Sequence, residues 1–372
     1  MDISKKMNES LIDDGNENDI GVKNQKINIR ELSIKELQEY VIEIGYPKYV
    51  GTQIFEWLHG KFELNFDNMT NISEALRNHL KQNFCVPVIS IKRKLYSNLD
   101  DTVKYLFELN DGECVEAVAM KYKFGYTLCI STQAGCKMGC EFCASSICGF
   151  ARNLKVSEML DQIMLVEQDL DQKISNLVLM GIGEPLDNLE NVVKFLKLLP
   201  SKFGFKLSLR RVTISTSGLV DKIYELMEHN IQATLSISLH APNNEIRDQI
   251  MPINKKWNIE SLIKAADEYF KRTSRRVSFE YILIEGLNAS LDQAKELADL
   301  IRGVGGQTCH VNLIPLNDIK ERNFRRPDPK KVFDFQNVLR RNGINVTVRR
   351  DLGSDIRAAC GQLRRQETEV NR

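Results

Sequence analysis

Residues 129–153 read CISTQAGCKMGCEFCASSICGFARN, and Cys136, Cys140 and Cys143 within them follow the spacing C-x3-C-x2-C. Three thiolates on one short loop can occupy three corners of a metal site. A closed structural site, whether zinc or iron–sulfur, takes four protein ligands. Three ligands leave one position open, and an open position is where chemistry happens. Two plainer readings of the same residues are a zinc site with a distant fourth ligand and three unrelated buried cysteines.

The chain around this loop has 372 residues, enough for a main domain plus a small one. Its formal charge is +1, so charge as a whole points to no nucleic acid and any RNA-binding face must be local. Nine cysteines are an odd number, concentrated around one loop, which suits a reducing compartment with metal-bound or catalytic thiols. There is no apolar run long enough to span a membrane and no signal peptide, so the expected setting is soluble and cytoplasmic, with no membrane partner.

Residues 1–29 are rich in Asn, Asp, Glu and Lys and read as a disordered tail. Residues 30–85 read as a small helical accessory domain. Ser33 caps ELQEYVIEIG, Gly60 closes YVGTQIFEWLHG, and Ser73 caps ISEALRNHLKQNF. Its functional reading is substrate docking; its plainer reading is a packing appendage. Residues 86–126 read as an antiparallel β extension with a hairpin turn at Asn110-Asp111-Gly112. From 127 to 320, strand-like and helix-like segments alternate, six strands with their helices when YTLCIST is counted first. The fold class is therefore α/β, a partial (βα)6 barrel, since right-handed crossovers wrap parallel strands into an arc. An open side would admit a macromolecule. Residues 321–372 form a C-terminal segment carrying Cys360.

Active sites of such barrels gather at the C-terminal strand ends. The second strand ends in Gly181-Ile182-Gly183-Glu184-Pro185, where glycines admit close backbone approach and a carboxylate follows. The third ends in Ser215-Thr216-Ser217-Gly218 and the fourth in Ser238-Leu239-His240. A lone His at a strand end is usually an ordinary hydrogen-bonded residue, but polar neighbouring ends favour a ligand pocket. The sixth strand runs on to Asn317, whose amide could meet an adenine edge. Cys360 lies among Arg349, Arg350, Arg357, Arg364 and Arg365, which favour a thiolate; the plainer reading of Cys129 and Cys360 is two small buried hydrophobes.

Taken together, CISTQAGCKMGCEFCAS, ARNL, MGIGEPLDN, VTISTSG, SISLHAP, MPIN, VNLIPLN and ACGQL resemble the RlmN/Cfr family of radical S-adenosylmethionine (SAM) RNA methyltransferases, in order over about residues 30–365. The resemblance implies that Cys136, Cys140 and Cys143 hold one [4Fe–4S] cluster whose fourth iron SAM chelates. It implies that Gly183, Glu184, Ser215, Ser238, Leu239, His240 and Asn317 bind SAM. It makes Cys360 the methyl carrier, Cys129 its resolving partner and Glu116 the general base. Two SAM molecules are consumed per methylation. One methylates Cys360; the second yields a radical that activates that methyl for addition to adenine C2, which ordinary polar transfer does not reach. Loss of an electron, removal of the C2 proton by Glu116 and attack of Cys129 on Cys360 then release the methyl product and leave a Cys129–Cys360 disulfide to be reduced. Pro185 and Pro315 favour C2 over the C8 position of Cfr-like enzymes, which typically depart from proline at both. Ile182, where some RlmN proteins have Met, is a small departure.

The implied partners are ribosomal RNA, protein-free or in early assembly, transfer RNA, and a flavodoxin-like reductant, with a monomeric enzyme. The alternatives are a Cfr-like C8 methyltransferase and a non-catalytic zinc RNA-binding protein. Two basic clusters could face RNA: Lys271, Arg272, Arg275 and Arg276, and Lys320, Arg322, Arg325, Arg326, Lys330 and Lys331. The plainer reading of each is solvated surface charge.

Overall fold

Caps and apolar spacing account for the first elements of the computed structural model, which describes residues 26–147, 149–304, 309–316 and 324–356. β1 (Ile27–Asn28) leads to α1 (Ile34–Glu43). Ser33 Oγ accepts from the Glu36 amide while the Glu36 carboxylate accepts from the Ser33 amide, a complete capping box. α2 (Lys48–His59) buries Ile54, Phe55 and Leu58 and ends at Gly60. α3 (Glu74–Asn83) is capped by Ser73 and buries Leu76 and Leu80. β2 (Phe84–Cys85) pairs in parallel with β1.

The expected tail is therefore too long at its C-terminal end. Ile27 and Asn28 are strand residues paired with Phe84 and Cys85, and Ile29 is wholly buried. Apolar residues at 27 and 29 suffice to anchor the chain there; the rest of the expected tail, residues 1–25, lies outside the described residues. One compact unit runs to Val88 and includes residues 195–207; the other takes in 89–194 and 208 onward.

The second unit begins with β3 (Ser90–Tyr96), β4 (Val103–Glu108), β5 (Cys114–Tyr122) and β6 (Gly125–Cys129), each antiparallel to the next. The turn at 109–113 closes as expected, with Gly112 at φ +85°. β7 (Gln133–Gly135) and β8 (Phe150–Asn153) form an unanticipated antiparallel pair that flanks the cysteine loop. Then follow α4 (Val156–Leu170), β9 (Ile174–Leu179), α5 (Leu189–Leu198), β10 (Val212–Thr216), α6 (Val220–Glu228) and β11 (Thr234–Ser238). The last elements are α7 (Asn244–Ile250), α8 (Ile259–Thr273), β12 (Val277–Leu283), α9 (Leu291–Ile301), β13 (His310–Pro315), α10 (Pro329–Arg341) and β14 (Asn345–Val348).

All but the shortest pairs belong to one ten-stranded sheet, ordered β14-β13-β12-β11-β10-β9-β6-β5-β4-β3. β6 is the pivot, antiparallel to β5 and parallel to β9. The six expected parallel strands are present, and β14 adds a seventh by pairing in parallel with β13. The parallel strands are not uniformly apolar. Leu235, Ile237, Phe279, Tyr281, Val311 and Leu313 are buried on the face that meets the helices, where the Tyr281 ring lies 5.4 Å from Phe335 of α10. The opposite face carries Ser236, Ser278, Glu280, His310 and Asn312, brought side by side by the register.

Candidate active site

The β7–β8 pair presents the cysteine loop. Gly135 sits at φ +88°, and a Cβ there would stand 1.9 Å from the Gly149 carbonyl oxygen, so the base of the loop closes only on glycine. Above it the Cys136 amide donates to Gly149 O at 3.1 Å, and Ser146 Oγ donates to the Cys140 and Cys143 carbonyls at 3.0 and 2.8 Å. Burial, followed by the negative charges of neighbouring groups, Cys143 first among them, pushes the Cys136 thiol up to about 12 and the Cys140 thiol well above its ordinary range. The three sulfurs thus feel one another.

Beside the loop, Glu184 is buried, its Oε2 accepting from the Ser217 amide at 2.7 Å and its Oε1 from the Leu186 amide at 3.0 Å. Burial raises its pKa, against these hydrogen bonds, which favour the carboxylate. Gln133 fixes the turn, with Oε1 accepting from the Glu184 amide at 2.8 Å and Nε2 donating to Asp187 at 2.8 Å and Asn153 at 2.7 Å. The fold itself requires the glycines of this turn. A Cβ at Gly183 would meet Gln133 Cβ at 2.5 Å, and one at Gly181 the Ile130 backbone at 2.5 Å.

The next strand ends converge on Arg247, a fully buried residue of α7. Its Nη2 donates to Ser217 O at 2.7 Å and Ser238 O at 3.1 Å, its Nε to Leu239 O at 3.1 Å and its Nη1 to Asn254 Oδ1 at 3.0 Å. Burial brings its pKa down to about 10, and its charge in turn favours the Cys140 thiolate. His240 is buried at φ +59°, with its ring 4.7 Å edge-to-face from Phe142 of the cysteine loop. Its Nδ1 accepts from the Ile282 amide at 3.0 Å, which leaves the proton of the neutral ring on Nε2; burial holds the pKa down at about 3. Ser215 and Ser238 lie half-buried on the sheet face that carries Glu280. A cavity of about 200 Å³ opens on that face, lined in part by Thr213, Ser236, Glu280, His310 and Asn312.

Cys129 and Glu116 occupy the same face on neighbouring strands. Cys129 pairs with Val118, two residues from Glu116, and Ser131 Oγ donates to Glu116 O at 2.6 Å while accepting from the Ile182 amide at 3.0 Å. Burial pushes the Cys129 thiol up to about 11; the Arg349 charge works against that and the Glu116 charge with it. Leu352 packs on the Cys129 cluster, and Asp355 accepts from Ser97 Oγ and the Asn98 amide, both at 2.7 Å. The chain is thereby tied down just before residue 357. Asn317 and Cys360 lie outside the described residues, as do Lys320 and Arg322.

The family models that match are the Radical SAM superfamily over residues 130–301 and the ribosomal RNA large subunit methyltransferase N-terminal domain over residues 27–86. A "Probable dual-specificity RNA methyltransferase RlmN" of Thermoanaerobacter sp. (strain X514) is 49% identical over 91% of this chain and 98% of that protein. The chain belongs to the RlmN family. A relative of the same description in Clostridium novyi (strain NT) is 46% identical over 92% of this chain and 99% of its own. The crystal structure of a radical SAM methyltransferase from Sphaerobacter thermophilus matches with a TM-score of 0.84 at 39% identity, covering 90% of this chain and 98% of that one.

As a member of the RlmN family the chain is a radical SAM RNA methyltransferase, and the family uses a [4Fe–4S] cluster with SAM. The donor set fits the cluster: three half-buried thiols on one loop, two of them held protonated by their surroundings, are groups that a cationic iron centre would hold as thiolates. RlmN membership sets aside the non-catalytic zinc reading. No described helix is long and apolar enough to cross a membrane. Of the proposed RNA-facing cations, several already have carboxylate partners: Lys271 with Asp267, Arg272 with Glu228, Arg326 with Asp351 and Lys331 with Glu285.

Sequence reading missed three residues that organise the site: Arg247, Gln133 and Lys104. Arg247 follows SISLHAP and precedes MPIN by four positions, inside a seven-residue helix too short for a periodic signal. Gln133 sat within the quoted motif without a role. Lys104 was recoverable from register: a turn at 109–113 sets Lys104 opposite Val118 and Leu106 opposite Glu116, so the two charged residues of an apolar hairpin face become diagonal neighbours.

Proposed function

We propose that this enzyme methylates C2 of a specific adenosine in large-subunit ribosomal RNA, and of an adenosine in transfer RNA, through an S-methyl group carried on Cys360. The observation that carries the reading is that Cys129 and Glu116 share one sheet face, Cys129 pairing with Val118 two residues from Glu116, with Leu352 packed on the Cys129 cluster. When bound, the cluster and SAM supply the methyl group and the one-electron chemistry that an unreactive C–H requires. The residues of the chain do the rest. Cys136, Cys140 and Cys143 hold the cluster. Gly183, Glu184, Ser215, Ser238, Leu239, His240 and Asn317 bind SAM. Glu116 takes the C2 proton, and Cys129 attacks Cys360 to release the methylated base, a step that needs the two sulfurs within bonding reach.

Pro185 and Pro315 favour C2 over C8. The ribosomal substrate is protein-free or in early assembly, the adenosine unpaired or extruded. The reductant is flavodoxin-like, and the enzyme acts as a cytoplasmic monomer. The N-terminal helical unit serves RNA docking. Assay of the iron–sulfur-reconstituted enzyme on each RNA in turn, followed by nuclease digestion and mass spectrometry of the nucleosides, tests position and substrate together. 8-Methyladenosine would move the enzyme to the Cfr side, and an unmodified transfer RNA would remove that substrate.

A further inference from the structure

Lys104 is fully buried on β4, and its Nζ lies 2.9 Å from Oε2 of Glu116, itself 2% exposed. An ammonium and a carboxylate taken out of water together seldom stabilise a fold more than an apolar pair of the same volume. The surroundings are apolar enough to have taken such a pair: Leu106 pairs across from Glu116, Val118 across from Lys104, and Leu95 and Cys114 pack beside Leu106. The pair also sits where the reaction is read to occur. Lys104, Val118 and Cys129 form one row across β4, β5 and β6, and the charges of both Glu116 and Lys104 act on the Cys129 thiol. Ser131 fixes the Glu116 backbone, and Lys104 meets the carboxylate itself.

We propose that Lys104 is a positioning residue for proton removal: its Nζ holds the Glu116 carboxylate in place on the sheet face that carries Cys129, to receive the proton from adenine C2. In that step the C2–H bond breaks, its electron pair stays with the ring, and the proton ends on a Glu116 oxygen that Lys104 continues to hold. This rests on the reading of Glu116 as the base. Lys104 touches neither substrate nor cofactor in this account, so its effect should exist only through Glu116.

A double-mutant cycle separates these statements. Turnover on RNA is measured for Lys104→Met, Glu116→Gln and the double variant, with S-methylation of Cys360 in the absence of RNA as a check that each folds and loads. The expected result is that Lys104→Met loads Cys360 like the parent, loses at least about tenfold in kcat with the KM for RNA nearly unchanged, and costs nothing further in the Glu116→Gln background. Lys104→Arg should recover part of the loss. Losses that multiply in the double variant, or a Lys104→Met enzyme as fast as the parent, would overturn the inference while leaving Glu116 as base. A Glu116→Gln enzyme with parental turnover would instead overturn the base reading, and the inference with it. Should Lys104→Met not fold, Lys104→Gln takes its place in the cycle under the same outcomes.

Discussion

Arg247 Nη2 donates to the carbonyl of Ser217 at 2.7 Å, and the same guanidinium reaches Ser238 O, Leu239 O and Asn254 Oδ1. One buried side chain therefore fixes the ends of two neighbouring strands whose residues are assigned to SAM. Replacing Arg247 by Met leaves those acceptors without a donor in a dry site. The expected cost is about 3 kcal/mol or more of stability, measured by urea unfolding, together with weakened SAM binding. Lys in its place cannot supply the planar fork and should recover little. A Met variant with parental stability would contradict the clamp.

Gly135 bears on the metal site through sterics alone. Alanine there would place a Cβ 1.9 Å from Gly149 O at a backbone φ of +88°. The β7–β8 pair must open to accept it, and the cysteine loop moves with its base. Gly135→Ala should bind less iron and sulfide per chain after reconstitution, although no ligand has been changed. Alanine at Gly45, which follows α1 in the other compact unit at φ +85° with nothing within 4 Å, is the control and should load normally. Equal loading of both variants would show that the loop does not depend on this closure.

His59 gives a prediction about pH. It is fully buried between Phe55 and Phe205, with ring centroids 4.3 and 6.2 Å away, and neither ring nitrogen has a hydrogen-bond partner among the described residues. Burial, and then the charge of Arg30, lower its pKa from 6.5 to about 3. The unfolded chain thus binds a proton that the folded chain refuses between these values. Stability from this residue is full above pH 6.5 and falls as pH drops towards 3, by about 1.4 kcal/mol per pH unit. His59→Leu should flatten that part of the acid slope in urea titrations between pH 7 and 4. An unchanged slope would mean that the imidazole is protonated in the fold.

Cys129→Ala tests the resolving role. The thiol lies buried on the face shared with Glu116, and its loss should stall the reaction after the methylene carbon has joined RNA to Cys360. A protein–RNA adduct that survives denaturing electrophoresis and maps to Cys360 is expected. Free turnover by this variant would remove Cys129 from the mechanism.

Much of this was legible because local and global signals agree. Ser33 and Glu36 form the capping box, Ser73 caps its helix, and the helix over 156–170 begins and ends where its apolar period does. The alternation of strand and helix required parallel pairing, and the structure extends it by β14. What escaped depends on contacts distant in sequence. β7 and β8 have too few residues to show alternation and exist because Gly135 and Gly149 can touch. That the glycines of the GIGEP turn are also required by Gln133 and Ile130, which a Cβ would meet, is likewise a contact distant in sequence. Glu116 and Cys129 were assigned through resemblance alone. That a lysine lies buried against Glu116 follows from the register of the β4–β5 hairpin, and no property of Lys104 by itself announces it.

The most direct test of the account is the nucleoside composition of RNA treated with the reconstituted enzyme and SAM under reducing, anaerobic conditions. The account predicts 2-methyladenosine at one ribosomal position, with two SAM consumed for each methyl and none formed by Cys360→Ala. Methylated adenosine produced undiminished by Cys360→Ala would contradict the covalent carrier on which the account turns.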